Sequence, residues 1–293
     1  MTLQKKSPCK VNLLLNILGK RADGFHELET VMHPVNVCDE LNFTRIASGI
    51  HLTCSDPTLP VDSGNLVYRA AMVFLQKAEI RDGVRIHLEK NLPLAAGLGG
   101  GSGNAATTLL GLNEIFECPL SPKILHELAA SLGSDIPFFL QTKPALASGR
   151  GELIQPLDYF PAFTNCSFLL IHPGFGISTA WSYQTLAKFS KALNGIRGRA
   201  QKLIALLQAG DLKKAAGEFY NSLEAPALEK FPILAIYQEF LRDHGAGASL
   251  MSGSGSTTFA IVEGQAAAES LVEKFKEKFG KACWTAVVPA NEG

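Results

Sequence analysis

The residues from Pro93 to Gly103 read P-L-A-A-G-L-G-G-G-S-G, with five glycines within seven positions. Alternating apolar and polar residues before this run, from Gly83 to Leu92, predict a strand. Apolar residues at helical spacing after it, from Asn104 to Phe116, predict a helix. A glycine loop that enters a helix N-terminus brings backbone N–H groups close to an anion, which the helix dipole also favours. The run therefore predicts a phosphate-binding loop, and a flexible linker is the alternative.

The sequence excludes three common nucleotide-binding or catalytic motifs. The chain contains no Gly-Lys-Ser or Gly-Lys-Thr, so it has no Walker loop. The dinucleotide fingerprint G-x-G-x-x-G fails because Ser102 stands where the third glycine belongs. The hydrolase motif G-x-S-x-G is also absent. A less common phosphate loop remains.

Composition indicates a globular enzyme of two domains. The 293 residues include 27 Lys and Arg against 27 Asp and Glu, so net charge indicates no affinity for nucleic acid or membranes. The N-terminus lacks the apolar core of a signal peptide, and no stretch has the length of a membrane span. Six cysteines without zinc-like spacing are typical of a reducing compartment. We expect a cytoplasmic protein.

The elements that must position the loop predict the α+β class, because strands and helices mix without strict βαβ repetition. A strand over Lys10–Leu18 places Lys10, Asn12 and Asn16 on one face, opposite an apolar face. Val31–Val37 and Val37–Ile46 are predicted as two further strands. Ser121 caps a helix that Gly133 ends.

The pattern restarts near Phe163, which predicts domains of residues 1–160 and 161–293. Four strands and the intervening helices of the second domain follow the ferredoxin-like order β-α-β-β-α-β. Extra helices are predicted in the first crossover, including one over Leu212–Leu223. The short strands Ala248–Met251 and Thr257–Val262 flank a loop at Ser252–Ser256.

Three segments together resemble the GHMP kinase superfamily, most closely its branch that acts on a cytidine-diphosphate substrate. They are Ser7–Leu13 with its continuation Gly19–Thr30, Leu92–Ala106, and Leu132–Phe139, and the Ser252–Ser256 loop supports them. Their order and spacing match over essentially the whole chain. The resemblance implies the GHMP kinase fold, which pairs a ribosomal-S5-domain-2-like N-terminal domain with a ferredoxin-like C-terminal domain.

The resemblance also implies an activity. It is the ATP-dependent phosphorylation of the tertiary 2-hydroxyl of a cytidyl-linked methylerythritol, giving the 2-phosphate and ADP in the non-mevalonate isoprenoid route. ATP and Mg²⁺ are the implied cofactors, and the implied partners are small molecules and neither nucleic acid nor a membrane. The motifs indicate neither the metal ligands nor the oligomeric state.

Asp135 and Lys10 match the family's catalytic pair. Asp135 would accept the proton of the attacking hydroxyl, and Lys10 would stabilise the ionised carboxylate and polarise the hydroxyl. The alternative for Asp135 is a helix N-cap or turn residue. The alternative for Lys10 is an exposed lysine at a strand edge.

The remaining site residues match loop and substrate positions of the family. Asn12 would contact substrate or phosphate, while Phe25, His26 and Tyr183 would bind the cytosine ring; for each aromatic ring the alternative is core packing. The implied ATP-binding residues are Pro93, Leu94, Ala95, Ala96, Gly97, Leu98, Gly99, Gly100, Gly101, Ser102 and Gly103.

Ala95 and Ala96 fill positions often occupied in the family by other small residues or glycine, and two further positions depart from the family pattern. Phe25 stands where tyrosine is usual, and Gly103 replaces a second serine, which removes one possible Mg²⁺ or phosphate contact. These departures leave a nucleotide sensor with a decayed active site as an alternative. Another GHMP kinase, acting on mevalonate, homoserine or a sugar, is a second alternative, although the Gly19–His26 segment argues against it.

Overall fold

A computed structural model describes residues 2–291. Its eleven strands in this range are β1 Thr2–Lys20, β2 His26–Ile46, β3 Ile50–Cys54, β4 Gly83–Glu89, β5 Ala145–Gly149, β6 Leu153–Pro156, β7 Cys166–His172, β8 Tyr220–Asn221, β9 Ala248–Met251, β10 Thr258–Glu263 and β11 Trp284–Pro289. Its α-helices are α1 Leu66–Lys77, α2 Gly100–Ile115, α3 Pro122–Leu132, α4 Thr179–Leu186, α5 Ser190–Leu193, α6 Arg199–Gln208, α7 Leu212–Ala215, α8 Glu224–Lys230, α9 Ile233–Asp243 and α10 Gln265–Phe279. Short 3-10 helices span Ile136–Leu140, Pro161–Phe163 and Ala216–Glu218.

The described chain packs into two compact units. The first contains residues 2–9, 37–92 and 99–142, and the second contains residues 10–36, 93–98 and 143–291. The long strands β1 and β2 each contribute residues to both units. The predicted domains of residues 1–160 and 161–293 stay a prediction, because these units follow packing and not chain order.

The first unit combines paired strands with helices α1, α2 and α3. The strand β4 pairs antiparallel with the second half of β2 and parallel with β3. The side chain of Asn65 accepts a hydrogen bond from Val67 N and so caps α1. The predicted caps of α3 are confirmed, since Ser121 accepts a hydrogen bond from Ile124 N and Gly133 is the C-cap residue.

The second unit contains the sheet that the sequence predicts. Its strand order is β11-β7-β10-β9, and neighbouring strands are antiparallel. This is the order of a ferredoxin-like sheet, so the prediction for the C-terminal region is confirmed. The same unit contains the pairings of β5 with β2 and with β6.

Two element predictions are wrong. The segment predicted as strands Val31–Val37 and Val37–Ile46 is the single strand β2. The helix predicted over Leu212–Leu223 ends at Ala215 and gives way to a 3-10 turn and to β8. The backbone of β8 pairs in parallel with β1 at Leu14 and Leu15, and this tertiary pairing overrides the local helical pattern.

Candidate functional site

The glycine run is part loop and part helix. We expected a loop as far as Gly103, but α2 begins at Gly100, so residues 100–103 form its first turn. Gly99 occupies the N-cap position with φ of +71°, and no side chain caps the helix there. The first N–H groups of α2 are therefore available to an anion at the positive end of the helix dipole.

The first half of the run is held by contacts within the second unit. The carbonyl oxygen of Gly97 accepts hydrogen bonds from Lys10 Nζ at 2.7 Å and from Ser252 Oγ at 2.9 Å. The carbonyl oxygen of Ala96 accepts one from Thr257 N at 3.1 Å, and that of Leu98 accepts one from Lys10 N at 3.0 Å. This number of fixed contacts is contrary to the linker alternative.

Position 97 requires glycine for two reasons, its backbone conformation and the lack of space for a β-carbon. Its φ of +76° lies in the left-handed region, and a β-carbon there would lie 2.1 Å from the carbonyl oxygen of Ser252. The loop at Ser252–Ser256 therefore packs directly against the backbone of the glycine run. The sequence linked these two segments only through the family resemblance.

Lys10 is buried and makes defined contacts. It is 2% exposed, and its Nζ donates hydrogen bonds to Asn12 Oδ1 and to the carbonyl oxygen of Gly97. Asn12 Nδ2 donates in turn to Thr30 Oγ1 at 2.9 Å. The alternative of an exposed lysine at a strand edge is wrong, and over residues 10–17 both faces of β1 are buried.

Asp135 lies in the first unit, at the start of the 3-10 helix Ile136–Leu140. It is half-buried, and its side chain makes no capping hydrogen bond to that helix. Asp135 thus occupies an N-cap position in a turn, as the alternative predicts, although its side chain does not cap the helix. The prediction that it acts together with Lys10, which lies in the second unit, stays a prediction.

Phe25 is an exposed ring with one defined neighbour. Half of its surface is exposed, so core packing does not explain it. The guanidinium carbon of Arg150 lies 4.6 Å from the ring centroid, which is cation–π geometry. The sequence did not single out Arg150, since a lone arginine in a glycine-rich segment gives no signal of its partner.

The rings of His26 and Tyr183 lie in contact. Their ring centroids are 5.1 Å apart with an interplanar angle of 32°. Partial burial and then the nearby charge of Lys20 lower the pKa of His26, which favours the neutral imidazole. Tyr183, on α4, also packs against a buried cluster that includes Ile177 and Leu186, so core packing describes part of its surroundings, and its role at the substrate stays a prediction.

Gly103 is buried against the start of β1. A β-carbon there would lie 2.8 Å from the carbonyl oxygen of Pro8 and 3.1 Å from Ser7 Oγ. A serine at this position would therefore need β1 or α2 to shift. The departure from the family pattern has this steric reason in the present chain.

A buried charged cluster, which we call the Asp39 cluster, was not predicted. The fully buried carboxylate of Asp39 accepts hydrogen bonds from Lys90 Nζ, Asn91 N, Leu92 N and Asn104 Nδ2. Through these hydrogen bonds, Asp39 connects the segment before the glycine run to α2. The sequence carried a signal, because Asp39 lies in phase with the buried residues Leu41 and Phe43 along β2.

Within residues 2–291 no group of three or more His, Cys, Asp or Glu side chains is placed to hold a metal ion. No helix of the described chain is long and apolar enough to cross a membrane.

The class of protein follows from matches to two domain families. The GHMP kinases N terminal domain matches residues 65–143, and the GHMP kinases C terminal domain matches residues 200–281. The first match contains the glycine run and Asp135, and the second contains the Ser252–Ser256 loop. These matches define an ATP-dependent kinase of the GHMP type with the α+β fold that the sequence predicts.

Similar proteins narrow this class. A 4-diphosphocytidyl-2-C-methyl-D-erythritol kinase of Citrifermentans bemidjiense is 39% identical over 267 residues, 91% of each chain. One of Syntrophotalea carbinolica is 36% identical over 98% of each chain. A crystal structure of a 4-(cytidine 5'-diphospho)-2C-methyl-D-erythritol kinase matches with a TM-score of 0.81 and 34% identity, over 97% of this chain and 98% of that one. The chain belongs to the 4-diphosphocytidyl-2-C-methyl-D-erythritol kinase family.

Proposed function

We propose that this kinase transfers the γ-phosphoryl group of ATP to the tertiary 2-hydroxyl of 4-diphosphocytidyl-2-C-methyl-D-erythritol. The products are the 2-phosphate and ADP, in the non-mevalonate route to isoprenoid precursors. The observation that carries the proposal is the buried Lys10 ammonium, held by Asn12 and by the carbonyl oxygen of Gly97. A buried ammonium beside a glycine loop suits a reaction in which negative charge must be stabilised.

Phosphoryl transfer asks a protein for positioning and charge stabilisation more than for covalent chemistry. Backbone N–H groups of residues 94–102 in the glycine run bind the phosphates of ATP, aided by the uncapped N-terminus of α2. Asp135 accepts the proton of the attacking hydroxyl, and Lys10 stabilises the negative charge that develops there. Asn12 keeps the Lys10 ammonium in place and contacts the substrate.

The aromatic residues bind the cytidine end of the substrate. Phe25 offers an exposed ring for stacking, and Arg150 lies over that ring. The neutral His26 supplies a hydrogen-bonding edge, and Tyr183 supports its ring. A tyrosine hydroxyl is missing at position 25, but stacking needs only the ring.

Mg²⁺ is the proposed metal cofactor. Because residues 2–291 provide no carboxylate and histidine cage, the ion would be held chiefly by phosphate oxygens and water, which is common for Mg²⁺ with nucleotides. Ser102, in the first turn of α2, offers a hydroxyl for it. When bound, the ion neutralises charge on the phosphates.

We also propose that the protein acts in the cytoplasm on small molecules, with neither nucleic acid nor a membrane as partner. Its 27 basic and 27 acidic residues give no net charge to attract a polyanion.

The variant Asp135→Asn tests the assigned base. We expect kcat to fall by about a hundredfold or more while the affinity for ATP is kept, because the amide cannot accept the proton. Coupled ADP release measures kcat, and calorimetric titration with a non-hydrolysable ATP analogue measures affinity. Asp243→Asn, at the exposed end of α9, is the matched control. Turnover near the wild-type rate in Asp135→Asn would show that another group is the base.

A substrate panel tests the acceptor. We expect ADP release with the cytidyl substrate and little with mevalonate or homoserine. A preference for either of these would make the chain another GHMP kinase. Binding of ATP without ADP release for any acceptor would favour the sensor alternative.

A further inference from the structure

The Ser252–Ser256 loop lies beside the Lys10 ammonium. A β-carbon at Gly253 would lie 3.0 Å from Lys10 Nζ and 2.9 Å from the carbonyl oxygen of Gly97. Ser252 Oγ and Lys10 Nζ donate to that same carbonyl oxygen. The backbone position of this loop therefore limits where the ammonium can lie.

Asn221 fixes this part of the loop. It is buried, and its Nδ2 donates hydrogen bonds to the carbonyl oxygens of Met251 at 2.8 Å and Gly253 at 2.7 Å, on either side of Ser252. Its Oδ1 accepts a hydrogen bond from Leu223 N at 2.9 Å. One side chain thus supplies both of its N–H groups to a single turn of the loop.

The backbone of Asn221 is attached to the strand that carries Lys10. Strand β8 pairs in parallel with β1, where Leu15 is the partner of Asn221. The neighbouring Ser222 N donates to the carbonyl oxygen of Leu15, and Ser222 Oγ accepts a hydrogen bond from Ile17 N. Asn221 therefore links β1 to the loop that borders Lys10.

A second polar side chain holds the start of the same loop. Glu224, at the start of α8, accepts hydrogen bonds from Met251 N at 2.8 Å and from Gln238 Nε2 at 2.6 Å. Met251 is thus held at its N–H by Glu224 and at its carbonyl by Asn221. The entry to the loop is fixed at both polar groups of one residue.

We propose that Asn221 is a positioning residue for the phosphoryl transfer, acting through the Ser252–Ser256 loop on Lys10. The proposal rests on the proposed function, in which Lys10 acts in the chemical step. Loss of the Asn221 side chain leaves two buried carbonyl groups without their donor, so the loop moves and the Lys10 ammonium is no longer confined.

The test uses Asn221→Ala and, as the matched control, Ser222→Ala. The control removes a hydrogen bond of the neighbouring residue, but that bond reaches β1 and not the loop. We expect kcat of Asn221→Ala to fall by about tenfold to a hundredfold, with KM for ATP and for the cytidyl substrate little changed. Ser222→Ala should keep the wild-type kcat. Thermal unfolding confirms that each variant folds.

A second readout does not depend on activity. Acetylation of lysine amines, followed by mass spectrometry, reports whether Lys10 becomes accessible, and the buried Lys90 side chain is the internal reference. We expect faster acetylation of Lys10 in Asn221→Ala only. A milder variant, Asn221→Ser, keeps one donor and should give an intermediate rate if the alanine variant fails to fold.

The outcomes separate the two proposals. Wild-type kcat and unchanged Lys10 acetylation in a folded Asn221 variant would overturn the role of Asn221, as would equal losses in Ser222→Ala. If the wild-type protein released no ADP with the cytidyl substrate, the proposed function would fail. The acetylation result would still report on the loop.

Discussion

At the scale of single residues, the sequence predicts the functional residues that belong to a recognisable motif. Lys10, Asn12 and the glycines stand in recognisable segments, and the structure places Lys10, Asn12 and Gly97 in contact. The sequence could not reveal Asn221 or Arg150, because each acts through a partner distant in the chain. A buried amide and an arginine over a ring have no local spacing that identifies them.

Gly97→Ala should destabilise the protein. The added β-carbon meets the carbonyl oxygen of Ser252 at 2.1 Å, and the residue must keep a φ of +76°. Backbone atoms cannot move aside as a flexible side chain can, so we expect the free energy of unfolding to fall by about 1–3 kcal/mol. Urea denaturation measures this change.

The control for this variant is Gly217→Ala. A β-carbon at Gly217 meets no atom within 4 Å, and the backbone there has no positive φ. Its free energy of unfolding should stay close to that of the wild-type protein. Equal stability of both variants would mean that Gly97 is not held against the loop as described.

At the scale of elements, prediction succeeds where a pattern is local and fails where distant pairing decides. The caps of α3 and the ferredoxin-like strand order follow from the sequence. The segment over Leu212–Leu223 has a helical pattern, yet its second part forms β8 because β1 offers a partner. Likewise, α2 starts inside the glycine run, where propensity disfavours a helix.

The Asp39 cluster should be essential to the first unit. In Asp39→Asn the Lys90 ammonium stays buried without its counter-charge, and breaking such a pair costs about 3–5 kcal/mol. We expect this loss in the free energy of unfolding, measured by urea denaturation. A fall in ATP affinity should accompany it, since Asp39 also holds Asn91, Leu92 and Asn104.

An exposed pair of the same residue types is the control. Lys143 and Asp158 form a salt bridge at the surface, where water screens the attraction. Asp158→Asn should leave the unfolding curve unchanged. A small effect of Asp39→Asn, similar to this control, would mean that the buried pair is not needed for stability.

At the scale of the whole molecule, Glu224 should make stability depend on pH. Burial raises the pKa of its carboxyl to about 7, against an ordinary value of 4.5. Below pH 4.5 the group is protonated in both the folded and the unfolded states, so its burial carries no charge penalty. As the pH rises from 4.5 to 7, the carboxyl ionises in the unfolded state but stays protonated in the folded state, so the free energy of unfolding falls by about 3 kcal/mol and levels off above pH 7.

Glu224→Gln should remove this dependence, because glutamine is neutral at every pH and can still accept a hydrogen bond from Met251 N. We expect the variant to gain stability relative to the wild-type protein between pH 5 and pH 8, measured by urea denaturation at several pH values. The exposed Glu277→Gln is the control and should follow the wild-type curve. Parallel curves for wild type and Glu224→Gln would show that Glu224 ionises normally.

The hydrogen bond from Ile17 N to Ser222 Oγ joins residues 205 positions apart. A ribosome adds about 5–20 residues per second, so β1 waits on the order of ten to forty seconds for β8 to be synthesised. During that interval the nascent chain exposes an unpaired strand edge, a hazard for intermolecular pairing. The yield of folded protein in the cell should therefore depend more on chaperone supply and growth temperature than on the stability of the folded enzyme.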